Sequence, residues 1–170
     1  NFLQQLTMES NGKRVSVDGQ PLDYTTAPVL WGSTGTLGQH SFHQLLHQGQ
    51  LLCPVDFVLP LTTHTGMAQQ HLNLVANCLA QSRTLMVGRS LQSATDALLQ
   101  RGLGTEKAEK LAPHLVMPGN RPSSVITMES LNPATLGALL ALYEHRTFCS
   151  AQLWKINPFD QWGVELGKEI

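Results

Sequence analysis

The sequence predicts an α/β protein, built as three α/β/α layers around a mostly parallel or mixed sheet. Three observations lead there. Short apolar runs of strand length occur at 27–31 (APVLW), 51–59 (LLCPVDFVL) and 124–128 (SVITM). Segments with helical periodicity separate them. Glycine, proline and asparagine punctuate nearly every boundary. Strands that alternate with helices favour a parallel sheet with crossover connections.

Taken in order, residues 1–10 carry Phe2, Leu3 and Leu6 at helical spacing and run into a turn at Asn11-Gly12. Residues 13–24 read as an exposed hairpin or loop with a second turn at Asp18-Gly19. The apolar run 27–31 is expected as a buried strand, followed by a glycine-punctuated loop at 32–38. Residues 39–48 read as one helix, with Phe42, Leu45 and Leu46 on one face and Gly49 as its C-cap. The strand 51–59 contains Pro54, which suggests an edge or a bulge. A long helix is expected over 67–87, and shorter, more polar ones over 91–100 and 106–111. Pro118-Gly119-Asn120-Arg121-Pro122 is a rigid loop ahead of the strand 124–128. Asn132-Pro133 supplies an N-cap and an N1 proline for a helix from 134 to about 145. Residues 147–158 carry no clear signal, and 159–167 begin a last helix or tight turn. There is no internal repeat or low-complexity linker, so one domain is expected over 1–170.

Composition excludes several classes. The 170 residues are 42% hydrophobic and 14% charged, with net charge −1, which fits neither a disordered chain nor a basic nucleic-acid binder. The longest apolar stretch, 136–143, is too short to cross a bilayer. Cys53, Cys78 and Cys149 are scattered and odd in number. They read as small core residues in a reducing compartment, and a cytoplasmic protein is expected. No basic n-region with an apolar h-region opens the chain, and its start without Met suggests a piece of something longer.

Several polar residues sit at element boundaries. Glu9 precedes a turn, where a glutamate is ordinarily a solvated surface residue. His40 follows the glycine loop at what reads as a helix start; the loop resembles an anion cradle but does not match GxGxxG. His43 and His47 lie three and seven residues beyond His40, a spacing open to metal ligation. A partly exposed polar stripe is the better reading, because no carboxylate or cysteine completes a set. Gln161 and Lys168 are two helical turns apart and could share a face. These residues do not by themselves choose a substrate.

Longer motifs do. Phe159-Asp160-Gln161-Trp162-Gly163-Val164-Glu165-Leu166-Gly167-Lys168 resembles the C-terminal signature of the glucose-6-phosphate isomerase family. Met8-Glu9-Ser10-Asn11-Gly12-Lys13 resembles that family's catalytic glutamate segment. Trp31-Gly32, Gly35-Thr36 and Gly38-Gln39-His40 resemble its catalytic histidine loop. Gly119-Asn120-Arg121-Pro122 and the helix from Leu136 through His145 also match, so the resemblance spans essentially the whole chain.

The resemblance implies a sugar isomerase (SIS) fold and an aldose–ketose isomerase acting between glucose 6-phosphate and fructose 6-phosphate. It implies Glu9 as the base that moves a proton between two carbons, and His40 and Lys168 as ring-opening groups. It implies Gln5 and Gln161 as substrate contacts, the latter near the phosphate. No cofactor and no metal is implied. It further implies a homodimer in which His40 serves the neighbouring subunit's site, with no nucleic acid or membrane partner. The family's loop reads Trp-Gly-Glu-Pro-Gly-Thr-Asn-Gly-Gln-His, and here Ser33, Thr34 and Leu37 replace the Glu, Pro and Asn. The family's serine- and threonine-rich phosphate pocket and its enediolate-steadying arginine have no match in this chain, so the chain alone is expected to be inactive or nearly so. A non-catalytic sugar-phosphate-binding module on the same fold is the competing expectation. An additional secreted signalling role, known for some members of the family, leaves no mark in the sequence.

Overall fold

The computed structural model describes residues 1–169. Their contacts gather into two units where one domain was expected: residues 1–32 together with those from 132 on, and residues 33–131.

The α/β character resides in the second unit. Two parallel strands, β1 (Val55–Pro60) and β2 (Ser123–Met128), pair in register from Val55 opposite Ser123 to Pro60 opposite Met128. A parallel pair needs a long crossover, and residues 61–122 supply it. The main crossover helix α4 (Ala68–Val87) packs on both strands, and the helices α5 (Leu91–Gln100) and α6 (Thr105–Leu111) follow it. Ala94, Leu98, Ala108 and Ala112 form a small buried cluster beneath Leu103 and Leu115. Pro54 lies just ahead of β1, where its missing N–H costs no ladder bond.

The exit from α4 is set by two glycines. Gly88 (φ 69°) and Gly119 (φ 66°) cross with their backbones in contact. A Cβ on Gly119 would lie 2.7 Å from the Val87 carbonyl carbon and oxygen, and one on Gly88 would meet the Met117 carbonyl oxygen. The crossing closes a short ladder. Arg89 and Met117 pair as an antiparallel bridge, and Asn120 and Arg121 donate their N–H groups to Met86 and Leu85 carbonyls at 2.9 and 3.0 Å. The Arg121 guanidinium then reaches back to the Gly49 and Leu51 carbonyls. In this chain the Gly-Asn-Arg-Pro segment is thus a structural clamp.

The first unit is helical. A short helix, α1 (Phe2–Gln4), continues into a π-helical turn, Gln5–Glu9, that packs on the long helix α7 (Pro133–Leu153). Asn132 caps α7 as expected and completes a capping box with Thr135. The helix runs well past the expected end near 145. It stops in a Schellman turn: Ile156 N–H bonds to the Ala151 carbonyl and Lys155 N–H to that of Gln152, with Lys155 at φ 54°. A last helix, α8 (Trp162–Glu169), follows.

Four expectations are corrected. Residues 27–31 form no strand. The Leu30 carbonyl accepts from the Gln4 amide at 3.0 Å, and Leu30 N–H points to the Met8 sulfur at 3.3 Å, so side chains of the first helix take the place of a neighbouring strand. The single helix expected at 39–48 is two, α2 (Gly35–Ser41) and α3 (His43–Gln48), broken at Phe42 (φ −142°). The Phe42 ring lies over Gly38, where a Cβ would meet it at 2.9 Å. Cys149 is exposed, and Cys53 and Cys78 are only partly buried, so none is a fully buried core residue; burial nonetheless pushes the Cys78 thiol up. Finally, His43 and His47 are buried rather than an exposed stripe. They share the Gln81 side-chain oxygen on α4, at 3.2 and 2.8 Å, and so pin α3 to α4.

Gly119→Ala combines a left-handed backbone with a steric overlap, so it is expected to lower stability by at least about 2 kcal/mol. Urea unfolding beside wild type checks this, and an unchanged midpoint contradicts the crossing.

Candidate active site

A cleft in the first unit has a volume of about 630 Å³. Its walls come from sequence positions at opposite ends of the chain. Met8, Glu9, Gly12 and Lys13 form one side, the hairpin Arg14–Val17 another, and Asn157 with Asp160–Val164 the third.

Glu9 is the last residue of the π-helical turn and is half-buried. Its carboxylate makes no hydrogen bond or ion pair among the described residues. A π-turn widens the backbone ring and re-aims the side chains on it. Behind Glu9 the helix is anchored by Asn11, 1% exposed, whose amide donates to the Thr147 carbonyl in α7 at 3.1 Å. Gly12 follows because its N–H bonds to the Met8 carbonyl, and a Cβ there would collide with that same oxygen.

The hairpin is built from local signals. Val15 and Pro21 pair across the turn, Gly19 supplies φ 76°, and the Ser16 hydroxyl accepts from Asp18 and Gln20 N–H. Its base is closed by Thr26, whose hydroxyl bonds both Lys13 N–H and the Lys13 carbonyl. It docks on the end of α7 through Val17 N–H to the Lys155 carbonyl and the Tyr24 hydroxyl to the Trp154 carbonyl.

The third wall is a fixed turn. The Asn157 side chain accepts from Phe159 N–H and donates to the Asp160 carboxylate at 2.9 Å. Gln161 comes next, exposed at the mouth, and its carbonyl accepts from Val164 N–H to open α8.

The five residues singled out by sequence therefore fare differently. Glu9 and Gln161 line one cleft. Gln5 opens the π-turn, exposed and outside that lining, and Lys168 lies exposed in the last turn of α8. His40 belongs to the other unit. It lies in the last turn of the seven-residue α2 and not at a helix start, because the glycine loop is itself helical from Gly35. Two further residues of the site, Lys13 and Asp160, stand inside the matched motifs, yet nothing in their spacing marks them. Among the described residues, no group of three or more His, Cys, Asp or Glu could hold a metal ion.

A half-buried carboxylate lining a cleft, within an α/β chain, is an arrangement that general acid–base enzymes use on small polar substrates. The comparisons with known proteins go further. The phosphoglucose isomerase family model matches residues 1–170, and the chain belongs to that family. It is 55% identical over 168 residues to a glucose-6-phosphate isomerase of Hahella chejuensis, and 53% identical over 169 residues to one of Shewanella pealeana. Each match covers 99% of this chain but only 30% and 31% of the relative. A crystal structure of a glucose-6-phosphate isomerase from Chlamydia trachomatis aligns over 98% of this chain and 30% of its own, with TM-score 0.79 and 38% identity. The chain thus spans about a third of the length of the relatives it matches.

Asn11→Ala removes the buried bond to α7, so it should cost about 2 kcal/mol. Denaturant unfolding measures this, and a loss below about 0.5 kcal/mol would show that the anchor does not hold the glutamate's helix.

Proposed function

We propose that this chain is the C-terminal part of an aldose–ketose isomerase that interconverts glucose 6-phosphate and fructose 6-phosphate. The observation that carries the reading is the convergence of Glu9 and Gln161 on one cleft, in a chain of this family. The reaction needs a base able to take a proton from one carbon and return it to its neighbour. A carboxylate suits that, since it can hold the proton between the two steps. Glu9 is half-buried and its carboxylate has no hydrogen-bond or ion-pair partner among the described residues, so it is available to a substrate carbon.

In the first step the sugar ring opens: a proton reaches the ring oxygen and another leaves the anomeric hydroxyl. His40 and Lys168 act here. Glu9 then takes the proton from the carbon beside the carbonyl. Electrons move onto the carbonyl oxygen to give an enediolate; that oxygen gains the proton that the neighbouring hydroxyl gives up, and as the new carbonyl forms Glu9 returns its proton to the former carbonyl carbon. Gln161 contacts the substrate toward its phosphate, and Gln5 is carried over from the family as a second substrate contact. No metal or cofactor enters these steps. The domain is of the SIS type, with α/β/α layers. The working protein is a cytoplasmic homodimer in which His40 serves the neighbouring subunit's site, and it needs neither nucleic acid nor membrane.

The test is conversion of fructose 6-phosphate to glucose 6-phosphate by the full-length protein. Glu9→Gln keeps the shape but removes the base, so its turnover should fall by about 10²-fold or more. The 170-residue chain alone should give little or no turnover, because it contains no match to the family's phosphate pocket or its arginine. An active wild type with an equally active Glu9→Gln contradicts the role of Glu9. A wild type that binds sugar phosphate without turning it over favours a non-catalytic binding module instead.

A further inference from the structure

Lys13 makes an unusual set of contacts for a lysine in the wall of a cleft. Its ammonium donates to three backbone carbonyls: Glu9 at 2.8 Å, Ser10 at 2.9 Å and Asp160 at 2.8 Å. The Asp160 carboxylate lies 3.6 Å away, and both side chains are largely shielded, at 15% and 23% exposure. An ammonium has three hydrogens and no acceptor, so none is left for a substrate phosphate.

The positions of those carbonyls matter. The Glu9 and Ser10 carbonyls end the first helix, where intrahelical donors run out. The Asp160 carbonyl ends the Asn157-based turn and belongs to the peptide that leads into Gln161. One nitrogen therefore holds the peptide after the base and the peptide before the substrate-side glutamine. Lys13 is itself held, since its own N–H and carbonyl are both bonded to Thr26. An ammonium can gather three acceptors converging on one point, whereas a planar guanidinium cannot.

Resting on the isomerase reading above, we propose that Lys13 is a positioning residue that fixes the distance between Glu9 and Gln161 across the cleft. It neither binds the phosphate nor carries a reacting proton. Catalysis depends on reacting groups being held to within a fraction of an ångström, and a misplacement of about 1 Å can cost 10²-fold. Loss of the tie should therefore act on kcat, while a lost substrate contact would act on KM.

The experiment is steady-state kinetics on the full-length protein, comparing wild type, Lys13→Ala and Lys13→Arg in both reaction directions, with thermal melts beside them. Lys13→Ala should lower kcat by about 10-fold or more, with KM within about twofold. Added n-propylammonium, which replaces the missing chain and charge, should recover part of that kcat, whereas general loosening would not respond to it. Should Lys13→Ala fail to fold, Lys13→Arg keeps the charge and should melt near wild type with reduced kcat. An active wild type whose folded Lys13→Arg keeps full kcat overturns the positioning role alone. A rise in KM at constant kcat overturns it too, and makes Lys13 a substrate contact. A wild type with no isomerase activity overturns the underlying reading, and the positioning role with it.

Discussion

The first unit depends on one nitrogen, that of Lys13. Something must join two stretches from opposite ends of the chain for Glu9 and Gln161 to line the same cleft. The Lys13 ammonium does so through three carbonyls. Each of these carbonyls would otherwise need a donor, because a helix end and a turn both leave backbone oxygens exposed. Satisfying them with one cation is economical in residues. It also means that the Glu9 turn, the hairpin and the start of α8 are fixed together, with Asn11 tying the whole to α7.

The second unit depends on a steric constraint instead. Its two strands are separated by a long crossover, and the chain that leaves α4 at Gly88 must pass beside that same point at Gly119 on its way into β2. Gly88 and Gly119 permit this by letting two backbones touch in a conformation that side chains rarely adopt. Once they cross, the Arg89–Met117 bridge, the Asn120 and Arg121 bonds and the Arg121 guanidinium follow. The motif Gly-Asn-Arg-Pro matches the family as a sequence, and its work in this chain is mechanical.

Much of this was legible in the sequence. The long helix α4, the strand before Pro60, the cap at Asn132 and the turn at Gly19 were all marked by local chemistry that tertiary contacts did not override. The misreadings share one cause. Residues 27–31 are apolar enough for a strand, but their backbone is met by Gln4 and Met8 side chains, which no periodicity reveals. The break at Phe42 comes from a ring lying on Gly38, and the burial of His43 and His47 from a glutamine on a distant helix. The site divides in the same way. Glu9 and Gln161, which line one cleft, are singled out by long motifs, while Lys13 and Asp160 stand unremarked inside those motifs, since a lysine bonded to carbonyls looks in sequence like any surface lysine.

The central claim is that Glu9 and Gln161 address one substrate in one cleft. A crystal structure of the full-length Glu9→Gln variant with fructose 6-phosphate tests it most directly. The account expects the sugar phosphate in this cleft, its reacting carbons beside residue 9 and its phosphate end toward Gln161. A sugar phosphate bound where it touches neither residue would contradict the account.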